Sequence, residues 1–311
     1  MDGSITIRCP RLPKDTDARV GVRRDNQNPD KKQKVFGYNA ILSTSVELHL
    51  GIELPVAVSN IAGNADEADF LVENTEQIYD HHDCRLNVAI ADSKYDAIKN
   101  YKYLRAHGCI PVIDYNPRRE NLSKVALISR GYDQNGWPFA PCGLLCKPNG
   151  FDEQRGRLSF CCFVQCRSLR PNALKEIEKR YDTKSCPGAK NKCGVVMHMS
   201  INDYPRLINE IPRGSRLFRE VKRFRSASER SNSSLKEDIS ILDCPRVLNG
   251  KRANILAQMA GIVLLLKRAF SFVVKVTMRL RRFYQNADSS LLKSLLPNNV
   301  PAFIRNLFLR E

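Results

Sequence analysis

Apolar and polar positions alternate, then shift to helical spacing, along the first hundred and twenty residues. Ser4 to Ile7 alternates as a strand does. Arg8 to Lys34 is charged and interrupted by Pro10, Pro13 and Pro29, which predicts an exposed loop. Phe36 to Leu42 and Leu54 to Ser59 predict two strands separated by a polar turn around Gly51. Asn64 to Tyr79 carries Ala68, Leu71 and Ile78 at helical spacing, with acidic residues in its first turns, where they favour the positive end of a helix dipole. Leu86 to Ile90 reads as a buried strand, Tyr95 to Ala106 as a helix stopped by Gly108, and Ile110 to Ile113 as another buried strand. Three strands, a helix, a strand, a helix and a strand predict an α/β fold, with helices packed on a mixed sheet.

From Glu120 to about Arg219 the pattern changes. Cysteine, glycine and proline punctuate short β-prone pieces such as Leu158 to Val164, which predicts an inserted, β-rich subdomain. Helical spacing returns at Ser226 and continues through Leu266. The longest apolar run, Ile255 to Leu266, contains Gln258 and is closed by Lys267 and Arg268. It is too short and too interrupted for a membrane span and predicts a buried helix. Residues Asn286 to Glu311, with Pro297 and Pro301, predict a peripheral helix pair. The expected organisation is a first part of the sheet domain over 1–119, the insertion over 120–219, the return of the sheet domain over 220–285 and a tail over 286–311.

Charge adds a partner class. The 311 residues hold 50 Lys and Arg against 33 Asp and Glu, a formal charge of +17. From Pro205 onward there are 21 basic and 8 acidic residues, whereas the first 204 hold 29 and 25. Arg213, Arg216, Arg219, Lys222, Arg223, Arg225 and Arg230 crowd one segment. A one-sided basic third suits a polyanion, because each neutralised phosphate releases bound counterions. The 42% hydrophobic and 27% charged residues exclude wholesale disorder, and no early segment has the build of a secretory signal. The expectation is a soluble, intracellular protein that binds nucleic acid.

Eleven cysteines, an odd number, predict free or metal-bound thiols rather than a disulfide framework. Cys142, Cys146, Cys161, Cys162, Cys166, Cys186 and Cys193 fall in one stretch. Cys142 with Cys146 and Cys162 with Cys166 have spacings that would suit tetrahedral zinc if brought together; buried structural thiols are the alternative. His81-His82-Asp83-Cys84 reads as a solvated turn, and Trp137, the lone tryptophan, as a core anchor of the insertion. Tyr38 is expected to pack half buried in its strand. Asp15, Asp17 and Arg19 lie in the predicted loop, either contacting DNA or forming a plain polar turn.

Three carboxylates carry the candidate chemistry. Asp92 directly follows an apolar strand, at the carboxyl end where open α/β sheets place their ligands. Asp2 stands at the head of the first strand. Glu229 lies in a predicted helix, with Arg225 four residues before it and Lys236 seven after, so these residues share one face with Asn232 or Ser233. Acids converging from two strands and a helix can hold a pair of Mg²⁺ or Mn²⁺ ions ~4 Å apart, suited to in-line phosphoryl displacement. A surface ladder of ion pairs is the plainer reading of the helix.

Six pieces in order carry a resemblance: Asp2-Gly3-Ser4; Asp15-Thr16-Asp17-Ala18-Arg19; Phe36-Gly37-Tyr38-Asn39; Ala62-Gly63-Asn64; Ala91-Asp92-Ser93-Lys94-Tyr95-Asp96; and Arg225-x3-Glu229-Arg230-x-Asn232-x3-Lys236. Together they span most of residues 1–265, and the chain resembles a DDE transposase of bacterial insertion sequences, in the branch with a Tyr-Arg-Glu-Lys signature. The resemblance implies an RNase H-like mixed sheet flanked by helices, with the cysteine-containing insertion before the last catalytic helix. It implies Asp2, Asp92 and Glu229 as the catalytic, magnesium-binding triad, with Arg225, Lys236, Arg230, Asn232, Lys222 and Arg19 toward DNA. Transposon ends and target DNA would be the partners, a homodimer would act on paired ends, and the place of action would be the prokaryotic cytoplasm and nucleoid, with no membrane. The signature tyrosine falls on Lys222, Ser93-Lys94 follows Asp92 where glycine-containing turns are usual, and the chain starts one residue before Asp2. A truncated remnant that binds DNA without cutting it is therefore the alternative, and a nuclease that cuts without joining is a third.

Overall fold

The computed structural model describes residues 5–8, 15–24, 32–48, 50–82, 85–116, 124–162, 164, 170–182, 196–239 and 247–286. Strands β1 (Ile5–Arg8), β2 (Arg19–Arg24), β3 (Lys32–Glu47) and β4 (Ile52–Ala62) form one antiparallel sheet centred on β3. Strand β1 pairs with β3 through Ile5↔Ala40. Strands β2 and β4 share out β3 lengthwise, β2 along Lys32 to Gly37 and β4 along Tyr38 to Glu47. Where they meet, Gly63 donates its backbone N–H to Gly37 at 3.0 Å, and a Cβ on Gly63 would stand 2.7 Å from the Arg19 carbonyl oxygen. Only glycine fits that crossing.

Strand β2 falls inside the stretch expected to be loop. Its Val20 and Val22 are 50% and 63% exposed. An edge strand with little to bury leaves almost no apolar signature.

Helices α1 (Phe70–His81) and α2 (Ile98–Ala106) flank the parallel pair β5 (Val88–Ala91) and β6 (Ile110–Ile113) in sequence. Alternation along β3 decides which layer meets which side chain. Ile41 packs with Leu71, Tyr101, Leu104 and Ile113. Tyr38, Ala40 and Leu42 pack instead with Leu235, Ala253, Ala257, Ala260 and Leu264, from α6 (Ser226–Glu237) and α7 (Gly250–Asn286). Helices thus cover both faces of the sheet, as the expected α/β class requires, but the single mixed sheet expected is not formed: among the described residues β5 and β6 pair only with each other, apart from the antiparallel β1–β4 sheet.

In sequence after β6, residues 124–200 contain α3 (Lys124–Ser129), α4 (Pro171–Glu178) and an antiparallel sheet of β7 (Lys147–Asp152), β8 (Arg157–Cys161) and β9 (Val196–Ser200). A separate apolar cluster fills this region, built on Leu158, Phe160, Met199, Cys142, Cys146 and Cys162, with Trp137 against it. The returning segment is fastened to α2 and β6 by buried arginines. Arg206 donates to Asp96 at 2.7 Å, and Arg213 donates to Ile113 O and the Tyr101 hydroxyl. Helix α5 (Arg216–Lys222) then packs Phe218 on Val112.

Helix α7 departs from the expected buried helix. Its Ala253, Ala257, Ala260 and Leu264 are buried, but Ile255, Met259, Ile262 and Leu266 are about half exposed or more. The expected tail helices beyond Asn286, like Asp2, lie outside the described residues. Among the described residues no helix is long and apolar enough to cross a membrane.

Candidate functional site

Two neighbouring parallel strands end in acids. Ala91 pairs with Ile113 in the register of β5 and β6, so Asp92 and Asp114 are the next residues out of the sheet side by side. The Asp114 backbone N–H reaches Ala91 O at 3.4 Å. Asp92 caps the 3-10 turn Ser93–Tyr95, its Oδ1 accepting from the Lys94 backbone N–H at 2.9 Å. Burial pushes the Asp92 carboxyl above the ordinary aspartate value. The Lys94 backbone and ammonium pull it back in part, and the Asp114 charge adds to the rise.

Helix α5 delivers a cation to this pair. The Lys222 ammonium lies 2.6 Å from the Asp114 carboxylate. The turn Arg223–Arg225 follows and contacts β5 before α6 begins, so the helical run carrying Glu229 starts beside that strand. Glu229 pairs with Arg225 at 2.7 Å, one turn back along the helix, and its side chain is 51% exposed. The structure therefore gathers Asp92, Asp114 and Lys222, with Arg225 and Glu229 on the adjoining turns. Among the described residues no three His, Cys, Asp or Glu side chains form a group that could hold a metal ion. Asp2 falls outside those residues.

Asp114 is the acid that the sequence reading passed over. It follows the apolar run Ile110 to Ile113 just as Asp92 follows Leu86 to Ala91, so the same strand-end rule points to it.

The candidate DNA contacts are dispersed. Arg230 reaches across to Glu53 on β4, which it shares with Arg268, and these guanidinium groups hold the Glu53 carboxyl below its ordinary value. Asn232 is 5% exposed, which leaves Ser233 as the solvent-facing member of that pair; Lys236 is half-buried. Arg19 donates to the Ala18 carbonyl beside it. Arg213, counted in the basic segment, is 5% exposed and spent inside the fold.

The two acids of the Asp15-to-Arg19 motif cap a helix. Asp15 is buried and accepts from the Tyr38 hydroxyl at 2.8 Å and from the Asn249 backbone N–H at 3.0 Å. Asp17 accepts from the Gly250 N–H at 2.9 Å. Both acids thus satisfy backbone donors at the start of α7, where a helix presents positive charge. Tyr38 is buried, not half buried, because this bond satisfies its hydroxyl.

Among the described residues, three cysteines of the insertion sit in its core. Cys142, Cys146 and Cys162 are buried among Leu158 and Phe160, and burial, with the neighbouring thiols adding to it, pushes Cys146 up to about 11. That favours protonated, packed thiols. Cys166, the fourth of the expected zinc set, lies outside the described residues, as do Asp83 and Cys84. The chain matches no protein-family model, no curated protein and no solved structure.

Proposed function

We propose that this chain is the RNase H-like core of a DDE-type DNA transposase of bacterial insertion sequences, with Asp2, Asp92 and Glu229 as its catalytic acids. The observation that carries the reading is Asp92. It is a desolvated carboxylate at the carboxyl end of a parallel strand, beside a second acid and a lysine, where the basic helical run begins. The order of elements supports the same reading: an antiparallel set, then two parallel strands each preceded by a helix, then a long excursion before the helix bearing Glu229.

A hard divalent cation suits this corner chemically. Asp92 and Asp114 offer only oxygen, and their mutual repulsion in a partly desolvated setting is what such an ion relieves. Magnesium, when bound, would stabilise the charge that develops on phosphodiester oxygens during in-line displacement. The chain's own part is to hold the acids and the phosphates. Lys222 neutralises Asp114 and keeps α5 against the strand ends. Arg225 orients Glu229, and together with Lys236 it would meet the DNA backbone. Asp96, fully buried between Tyr101, Arg206 and the Asn116 backbone, fixes the turn that presents Asp92.

One observation favours the second reading, a protein that binds DNA without cutting it: both Asp114 and Glu229 are already neutralised by cations of the chain itself. Purified protein separates the two when assayed for nicking of supercoiled DNA with and without Mg²⁺. The transposase reading expects Mg²⁺-dependent nicks, reduced at least 100-fold in Asp92→Asn and Glu229→Ala. Binding with no nicks in any divalent metal supports the second. Asp92→Asn should also melt higher at pH 7, by on the order of 1 kcal/mol, the usual trade of stability for function. The sign follows from the raised folded pKa: Asp92 resists ionising in the fold, so its contribution to stability declines as pH rises through the aspartate range. Asparagine removes that penalty and can still cap the turn.

A further inference from the structure

A cleft between the carboxyl ends of α1 and α2 has no part in the site described above. It lies where β5 and β6 begin, so the length of both strands separates it from Asp92 and Asp114. Its volume of about 860 Å³ is in the range of small-ligand sites. Three rings form its wall. His107 stacks on Tyr79 with centroids 5.5 Å apart and leans on Tyr103 at 4.3 Å. The Tyr103 carbonyl, which can only accept, takes a hydrogen bond from His107 Nδ1 at 2.9 Å, so Nε2 of the neutral ring keeps its lone pair. The charges beside these rings work against the stability of α1. Glu76 and Asp80 stand one turn apart, where like charges repel, and toward the carboxyl end of the helix, where the dipole disfavours acids. Among the described residues neither acid has an ion-pair partner, in a chain with 50 Lys and Arg. Arg85, also in the lining, pairs with neither. Burial, and then Glu76, Tyr79 and Asp80, push the Tyr103 phenol above its ordinary value, so both acids act on the aromatic wall.

We infer that this cleft binds an organic cation, a guanidinium or alkylammonium group set against the tyrosine and histidine rings and neutralised by Glu76 and Asp80. Two carboxylates, two helix carboxyl ends and the negative faces of aromatic rings all favour positive charge. The rings select an organic cation over a hard metal ion, which takes oxygen ligands instead. His107 Nε2 is an acceptor for one of the guest's N–H groups. The guest relieves the repulsion between the two acids, which is the return for placing them where they weaken α1. A free polyamine and an Arg or Lys side chain of a polypeptide both carry such a group. The formal charge of +17 repels cations from the molecule at large, so attachment at this cleft stands out from background. The inference does not depend on the catalytic reading.

Isothermal titration calorimetry of the nucleic-acid-free full chain in ~50 mM NaCl, where charge attraction is little screened, tests it. The probes are arginine amide, spermidine and a tetra-arginine peptide, with citrulline amide as the uncharged analogue. At least one cation should saturate a single site below about 10 mM. Glu76→Gln with Asp80→Asn should weaken that binding roughly 10-fold, and Tyr103→Leu by a similar factor, with circular dichroism unchanged. Glu153→Gln, in the exposed turn between β7 and β8, is the control and should leave it intact. Saturation by arginine amide or spermidine supports the inference with a small free cation as guest. Saturation by the peptide alone supports it with a basic polypeptide as guest. No saturation by any probe overturns it, as does equal binding of citrulline amide or equal weakening by Glu153→Gln. Cation binding without Mg²⁺-dependent nicking would remove the catalytic reading and retain this one.

Discussion

At the scale of single residues, position in the fold decides what an acid does. Asp15 and Asp92 are both aspartates beside strands, yet their carboxyls are driven in opposite directions. Burial pushes Asp15 up, but hydrogen bonds from Tyr38 and from the Asp17, Asn249 and Ala18 backbone outweigh it and leave the carboxyl below the ordinary aspartate value. Asp92 accepts one backbone bond, and burial wins. The charge on Asp15 therefore stabilises the fold. Its contribution is complete above the unfolded value and is lost as pH falls through the lowered folded one. Asp15→Ala should cost about 3 kcal/mol at pH 7 in urea unfolding, since it strands a buried hydroxyl and uncaps α7. The gap to wild type should narrow toward pH 2. A gap independent of pH would assign the loss to packing alone. The sequence displayed this motif clearly but not its role, because the partners at Tyr38 and Asn249 stand 23 and 234 residues away.

Elements show where periodicity speaks and where it is silent. Ile110–Ile113 was legible to the residue because four apolar positions lie between a glycine stop and an acid. Strand β2 was not legible, since an exposed edge demands no apolar face. Helix α7 was legible as helix only as far as Leu266, short of its end at Asn286, and not as half-buried, because its inner stripe is largely alanine and glycine. Small residues let a helix approach a sheet closely but add little to a hydropathy pattern. That inner stripe sets a prediction: a Cβ at Gly261 would stand 2.7 Å from Val58 Cγ2. Gly261→Ala should destabilise by about 1–3 kcal/mol in spite of alanine's better helix propensity. Adding Val58→Ala should recover part of that loss, and a double-mutant cycle measures the coupling. If Gly261→Ala alone raises stability, the approach of α7 to β4 is looser than described.

For the whole molecule, net charge overstates the surface open to DNA. The carboxyl-terminal surplus of 13 includes Arg206 and Arg213, both buried, and Arg216, Lys222, Arg225, Arg230, Lys267 and Arg268, each on an acid. Arg219, Arg223, Lys251, Arg252, Lys275, Arg279, Arg281 and Arg282 are exposed in addition. If these eight bear most phosphate contacts, the slope of log K against log[NaCl] on a duplex should be no steeper than about −7. Fluorescence anisotropy between 50 and 300 mM NaCl reads it. A slope near −12, which the full surplus would give, means that the ion pairs open on DNA.

The alternation of apolar runs with glycine and acid stops determined the α/β class and the places of most central strands and helices, because those patterns are local. Composition determined the basic character of the last third. Which acids became neighbours, which arginines were buried and which side of α7 stayed exposed were decided only by tertiary packing. Asp92 meets Asp114 through strand register, Lys222 meets Asp114 across 108 residues, and Arg206 meets Asp96 across 110. No local pattern encodes pairings at such separations, since they arise only when layers close and each desolvated charge must find a partner.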